Sequence, residues 1–334
     1  DIMQLTGENR AIVALGLRDL PGTKNSGLKA LMEAADCVSE MTSYDIGFRI
    51  APRINAAGRM DVARHVVELF ECDEFAAARK LASLLDARNR DRQKMQLQIT
   101  ELAFQEIRSL EDAQFIVVAG EGWHRGVIGL AASRIAERAH RPTIVLSMEN
   151  GEAHGSARSV GSFHLLHALE SCSDLFDQFG GHAAAAGMRL PTGNIAQLRE
   201  RLNRFAIEHI NEEQRTPVLQ IDAHVSSETL DLAVVEELKR IEPFGAGNPK
   251  PVFVTKDLFL SDEPFVMKEK HLKLKLENGS RKRFEAVWWD GVERSKGRTL
   301  RIGNGIELAY TPEANTWQGN TRLQLVVQDL REHN

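Results

Sequence analysis

Phe179-Gly180-Gly181-His182 runs into four alanines and Gly187, so a single imidazole sits in a stretch of chain almost stripped of side chains. Glycine admits positive φ and lets a ligand approach the amides, and the alanines suit the start of a closely packed helix. The N-terminal amides of such a helix attract anions such as phosphate; a Gly-Gly turn entering a core helix would leave the same pattern. In His154-Gly155-Ser156-Ala157-Arg158-Ser159 a hydroxyl and a guanidinium two residues apart share one side of an extended segment, which suits phosphate, although a solvated strand end reads the same way. Arg53 and Arg59 flank small residues in a segment too rich in arginine to be simple core, and either contact an anion or form ordinary surface ion pairs. Gly120-Glu121-Gly122-Trp123-His124-Arg125-Gly126 lies where a dinucleotide fingerprint would, but its third glycine comes one residue late. That turn either holds a phosphate, with His124 donating, or is a tight turn carrying a surface histidine.

The elements that would carry these groups can be read in order. Residues 1–60 mix short apolar segments with turns and end in a predicted site loop over 48–60. Residues 61–112 contain no proline or glycine and predict helix with a break near Cys72-Asp73. The second helix would run about 38 residues, or about 57 Å. Its middle, Asp86 to Lys94, is polar all round, the pattern of a helix bridging two domains. Phe115-Ile116-Val117-Val118-Ala119 predicts a buried strand, 127–139 a helix and 142–146 a second strand, which makes an α/β domain. A helix near 195–211 closes it.

Past Gln214-Arg215-Thr216-Pro217 the pattern changes to short strands. His271-Leu272-Lys273-Leu274-Lys275-Leu276 alternates with period two, Asn278-Gly279 supplies a hairpin turn, and 281–289, 305–310 and 322–327 complete a small β-barrel. Residues 268–301 carry eleven Lys or Arg against five Asp or Glu, with Trp288 and Trp289 among them. Basic residues beside aromatics suit a single-strand groove, phosphates meeting charge and bases meeting rings. Period two puts the two tryptophans on opposite faces, so one is core; the lysines could equally be a solvated edge.

The whole chain, 334 residues with 43% hydrophobic, predicts two or three globular domains. Its three cysteines form no CxxC pair, which argues against zinc or a disulfide framework and fits a reducing, cytoplasmic setting. No apolar run approaches the ~20 residues of a membrane span. A net charge of −5 confines any nucleic-acid contact to local clusters. There is no paired histidine, H-E-x-x-H, G-x-S-x-G or P-loop, and hence no complete catalytic centre.

Taken together, Pro52-Arg53-Ile54-Asn55-Ala56-Ala57-Gly58-Arg59, Trp123-His124-Arg125-Gly126-Val127-Ile128-Gly129, Gly155-Ser156-Ala157-Arg158-Ser159, Phe179-Gly180-Gly181-His182 and Pro243-Phe244-Gly245-Ala246-Gly247-Asn248-Pro249 resemble, in order, the motifs of the RecJ family of bacterial single-strand DNA exonucleases, in the DHH phosphoesterase superfamily. The resemblance implies an α/β plus all-β chain: the remnant of a DHH catalytic domain over 1–60, linking helices over 61–112, a DHH-associated α/β domain over 113–214 and an OB-fold barrel over 217–334. It implies 5′ to 3′ hydrolysis of single-stranded DNA in repair and recombination, with two Mn2+ or Mg2+ ions held mostly by residues upstream of this chain, so that this segment alone would be inactive. Asp1 alone is in register with a family metal ligand, and the chain's beginning there implies a longer polypeptide. Ser156, Arg158, Gly181 and His182 would hold the terminal 5′ nucleotide and its phosphate, with Arg53 and Arg59 on the backbone nearby and Asn55 and His124 also binding nucleic acid or phosphate, and Lys273, Lys275 and Trp289 would hold the strand further on. A single-strand binding protein and a helicase are the protein partners it suggests, and no membrane. The competing expectations are a DHH phosphodiesterase acting on short RNA or cyclic dinucleotides, which the barrel disfavours, and a non-catalytic single-strand binding module.

Overall fold

In the computed structural model, all residues are described except 1, 38–40, 60–62, 108–112, 212–215, 297, 299 and 334. The chain divides into two compact units that cut across the expected boundaries. One comprises Pro21–Ser39 and Asp45–Val218, the other Asp1–Leu20, Glu40–Tyr44 and Leu219–Asn334.

The first unit opens with α2 (Ser26–Ala34), capped by the Asn25 side chain accepting from the Leu28 amide. A π-helical turn over Asp45–Ile50 runs directly into α3 (Ala51–Arg59). The loop expected over 48–60 is therefore helical through its described residues: Pro52 falls in the first turn of α3, where its missing N–H costs nothing, and Ala56 and Ala57 are buried. After α4 (Arg64–Glu71) the chain breaks at Cys72, as expected, and α5 (Phe75–Ile107) continues for 33 residues. The early half of α5 packs on α2, α3 and α4, and its later half on α6 (Arg125–Ala139) and β1 (Ile116–Glu121), all within one unit. Its polar middle is accordingly not solvated all round: Asn89 is only 3% exposed, and Arg88 and Arg92 are half-buried.

The α/β part is a five-stranded sheet in the order β1-β2-β3-β5-β4, where β2 is Thr143–Glu149, β3 Glu152–Arg158, β4 Gln178–Gly181 and β5 Ala185–Pro191. β1 and β2 are parallel with α6 as their crossover, and the remaining pairs are antiparallel. One face packs on α5 and α6 through Ile99, Val118, Val127, Ala131, Ile135 and Val145; the other packs on α7 (Leu165–Glu170) and α8 (Ile195–His209). The Gly-Gly-His motif does not begin a helix. Gly180 and Gly181 end β4, His182 and Ala185 close a tight turn (His182 N to Ala185 O, 2.8 Å), and the alanines enter β5. Small residues let three strands lie bare side by side here, and that, rather than helix packing, is why the side chains are missing.

In the second unit, β7 (Phe253–Leu260), β9 (His271–Asn278), β10 (Arg283–Trp288), β12 (Asn320–His333) and β11 (Gly305–Trp317) pair in that order, and β11 returns to β7. The barrel is closed, with β10 and β12 parallel, which is OB-fold topology. Leu258, Leu274, Leu276, Trp288, Ile306, Tyr310 and Leu325 fill it. The buried Tyr310 hydroxyl is satisfied by Thr255 at 2.9 Å. Two small edge strands, β6 (Ala223–His224) and β8 (Phe265–Met267), flank the sheet. The Pro243–Pro249 motif forms a turn, Gly245 and Asn248 bonding each other's backbone, whose Ala246 carbonyl accepts from the Leu5 amide ahead of α1 (Gly7–Asp19).

Candidate nucleic-acid interface

Four of the predicted motifs meet in the first unit. Arg158 on β3 donates through Nε to Ser133 Oγ (3.0 Å) on α6, and through one terminal nitrogen to Ser156 Oγ (2.9 Å) and the Ala157 carbonyl (2.8 Å). The hydroxyl and the guanidinium therefore do share a face, as the period-two reading required. Gly129 of α6 lies directly over them: a Cβ there would stand 3.0 Å from both Ser156 Oγ and the Arg158 guanidinium. Arg59, at the end of α3, donates to the Gly126 carbonyl (3.0 Å) in the first turn of α6. Arg92, from the middle of α5, completes the group; its Nε is buried and unpartnered. Burial lowers the pKa of both Arg92 and Arg158, and the Arg59 charge adds to the effect on each. None of the three has a carboxylate within ion-pair distance among the described residues. Three clustered guanidinium groups without an internal counter-ion make a site whose unmet requirement is an anion.

The glycine-flanked histidine reaches this site through strand register. Arg158 pairs with Ala185 on β5, whose carbonyl accepts from the His182 amide, so Arg158 and His182 lie two strand spacings apart, about 10 Å. Ser156, Gly187 and Gly180 form the next row on the same face. With no side chain at two of its three positions, that row exposes backbone where a strand of nucleic acid could lie. Gly181, His182 and Asn55 are exposed, and Asn55 stands one helical turn before Arg59 on α3.

His124 differs from its expected role. Its Nδ1 accepts from the Gly126 amide (3.1 Å) as the N-cap of α6, and its carbonyl takes the Val127 and Ile128 amides (2.9 and 3.2 Å). The first turn of α6 satisfies those donors internally, so His124 orders the helix start on which Arg59 leans and leaves only Nε2 for a ligand. Arg53 departs further. Its guanidinium is taken up by Asp86 (2.9 Å), the Arg49 carbonyl (2.5 Å) and the Ala34 carbonyl (3.1 Å), largely out of solvent. It braces α3 on α5. Arg53→Met should therefore cost about 2 kcal/mol of stability by leaving the partly buried Asp86 with only its ion pair to the exposed Arg90 at 3.3 Å; unchanged denaturation midpoints would instead release Arg53 for ligand binding. Asp1 lies outside the described residues. Among the rest no three His, Cys, Asp or Glu side chains gather as metal ligands.

Arg92 was missed in the sequence because it sits in an all-polar run where nothing local marks it; that it shares a helical face with the buried Asn89, three residues earlier, shows only in the fold.

On the barrel, Trp288 is fully buried and Trp289 is 52% exposed, in line with their opposite faces. Trp289 meets the His271 ring edge-on at 4.8 Å. The lysines expected to meet phosphate are matched by carboxylates, Lys273 by Glu285 (2.9 Å) and Lys275 by Asp262 (2.7 Å). The neighbouring carboxylates lie outside the charge count that marked this segment as basic or are interleaved within it. At the other end of β10 from Trp289 lies a groove of 690 Å³, floored by Leu276, Phe284 and Leu323 and lined by Lys275, Lys282, Arg283 and Arg322 together with Asp231, Asp262, Glu277 and Glu285. No helix among the described residues is long and apolar enough to cross a membrane.

The DHHA1 domain model matches residues 112–208, and the RecJ OB domain model matches residues 221–329. The single-stranded-DNA-specific exonuclease RecJ of Bacillus subtilis is 35% identical over 98% of this chain, which covers 42% of that protein; the Escherichia coli protein of the same name is 31% identical over 99% of the chain, covering 59% of it. The crystal structure of RecJ from Thermus thermophilus in complex with Mn2+ superposes over the whole chain with a TM-score of 0.84 at 29% identity, the chain covering 48% of it. A second structure of that protein contains Mg2+. The chain thus spans about half the length of the relatives it matches.

Proposed function

The chain belongs to the RecJ family of DHH phosphoesterases and corresponds to its C-terminal portion, and from that premise we propose that it grips the substrate in a cytoplasmic 5′ to 3′ exonuclease acting on single-stranded DNA in repair and recombination. The observation that carries the reading is the arginine group of Arg59, Arg92 and Arg158 around Ser156, unneutralised by any described carboxylate. In this role Arg158, held planar and oriented by Ser133 and Ser156, receives the terminal phosphate; Arg59 and Arg92 supply charge to it, and His182 meets the adjoining nucleotide from across β5. Holding the strand end in one pose places the scissile bond where hydrolysis occurs. Hydrolysis itself calls for divalent ions, Mn2+ or Mg2+ and two of them in this reading, which lower the pKa of water and stabilise charge on the phosphate. In this reading the described residues bind and position the strand, and the ions are held mostly by residues upstream of them. A phosphodiesterase acting on cyclic dinucleotides or short RNA is disfavoured by the barrel, which matches the RecJ OB domain.

The test is binding to single-stranded DNA with and without a 5′-phosphate, across a salt series. Three arginines on phosphates should give a log-log salt slope of about −2, and hence about 20-fold weaker binding for a fourfold rise in salt. The 5′-phosphorylated strand should bind about 10-fold tighter than its hydroxyl counterpart. Salt-independent binding, or indifference to the terminal phosphate, would remove the arginine group from the substrate site.

A further inference from the structure

We propose that the β11–β12 hairpin is a base-stacking arm, with Trp317 as its platform and Arg283 and Arg322 as phosphate contacts beside it; this rests on the reading of the chain as a single-strand grip. The two strands remain paired to Trp317 and Asn320, well past the barrel, and residues 314–322 are exposed on both. Gln318 and Gly319 close the arm with φ of 50° and 79°, the two-residue turn whose twist matches a hairpin. A Thr316–Thr321 hydroxyl bond of 2.8 Å ties the strands just short of the turn. The arm is therefore ordered, yet it buries nothing, and its largest side chain, Trp317, is 72% exposed.

Register determines what stands next to that ring. Trp317 is opposite Asn320 and Asn315 is opposite Arg322, so Trp317 and Arg322 lie on one face as diagonal neighbours, about 7–8 Å apart, with Thr316 and Thr321 on the other. Arg322 also rims the 690 Å³ groove together with Arg283. Whereas Lys275 in the same groove is held by Asp262, neither arginine has a carboxylate within ion-pair distance among the described residues. Unpaired guanidinium groups select a phosphate, and an exposed indole one diagonal step away selects a flat ring. A single-stranded nucleic acid presents both at such a spacing; a duplex keeps its rings inside the stack. Of the eleven cations that first marked the barrel as basic, Lys273, Lys275, Lys296 and Arg298 are paired with carboxylates, whereas among the described residues Arg283 within that segment and Arg322 beyond it are not.

In the intact protein, Trp317→Ala and Trp317→Phe should be compared for binding to oligothymidylate and to a strand of the same length with abasic sugars in place of the bases. Wild type should prefer oligothymidylate by about 10-fold, within the range for stacking one base. Trp317→Ala should lose that preference with its salt slope unchanged, Trp317→Phe should keep most of it, and Arg322→Ala should instead lower the slope by about 0.7. A wild type that binds oligothymidylate and a Trp317→Ala variant that equals it on both strands would overturn the proposal alone, leaving the arm to a protein partner. A wild type that binds neither strand would overturn the single-strand reading and the proposal with it.

Discussion

Arg158→Ala in the intact enzyme is expected to lower kcat/KM on 5′-phosphorylated single-stranded DNA by about 100-fold while moving the thermal midpoint by only a few degrees. A charge-assisted hydrogen bond contributes ~1.5–3 kcal/mol, which converts to about 10- to 150-fold. Arg158 lies at the upper end because its two serine contacts already fix its plane, so little side-chain freedom remains to be lost on binding. Its effect on stability should be small for a separate reason: burial and the Arg59 charge both disfavour the guanidinium where it stands, so removal relieves repulsion as it loses the serine bonds. Arg158→Lys keeps the charge without the fork that spans Ser133 and Ser156, and should fall between, near 10-fold. Steady-state kinetics on phosphorylated and hydroxyl-ended strands separates the cases. A variant with the wild-type rate on both would take Arg158 out of the site.

Gly181→Ala is expected to destabilise the α/β part by about 2–4 kcal/mol, whereas Gly180→Ala should be close to neutral. Gly181 has a φ of +155°, and a Cβ there would stand 2.4 Å from the Ala185 carbonyl oxygen and 2.5 Å from the Ala186 Cα. Both obstacles are backbone of the neighbouring strand, so relief requires β4 to separate from β5. β4 has four residues and is the sheet's edge, so it would separate locally and carry His182 out of the row it shares with Arg158. Nothing lies within 4 Å of the corresponding position on Gly180. Denaturant unfolding of the two variants, with hydrogen exchange of the β4 and β5 amides, tests the contrast; equal stability for Gly180→Ala and Gly181→Ala would mean the hairpin is not packed as described.

Much of this arrangement was legible in the sequence because its signals are local. Period two in residues 271–276 marked β9 and put Trp288 and Trp289 on opposite faces, although the hairpin closes through residues 278–282 with Arg281, not Gly279, at positive φ. The apolar runs on either side of α6 marked the parallel pair β1 and β2, and the spacing of Ser156 and Arg158 put both on one face of β3. Where local patterns have two solutions, the sequence pointed the wrong way. Gly-Gly-His-Ala-Ala-Ala-Ala suits a helix by propensity, but pairing with β3 draws it into a strand, since tertiary hydrogen bonding outweighs a few tenths of a kcal/mol per residue.

Charge was the least legible, because an ion pair joins residues that sequence order does not. Arg53 and Arg59 looked alike, flanking the same small residues; the fold gives Arg53 the carboxylate of Asp86, 33 positions away, and gives Arg59 none. The lysines of β9 likewise lose their apparent excess to Glu285 and Asp262, while Arg92 gains a role that no neighbour in the chain announces. Residue types and short periods thus determined which strands and helices form and which side chains could bind an anion. Only the folded chain decided which of those cations remain unneutralised, because Coulomb attraction acts through space and is settled by whichever carboxylate packing brings within a few ångströms.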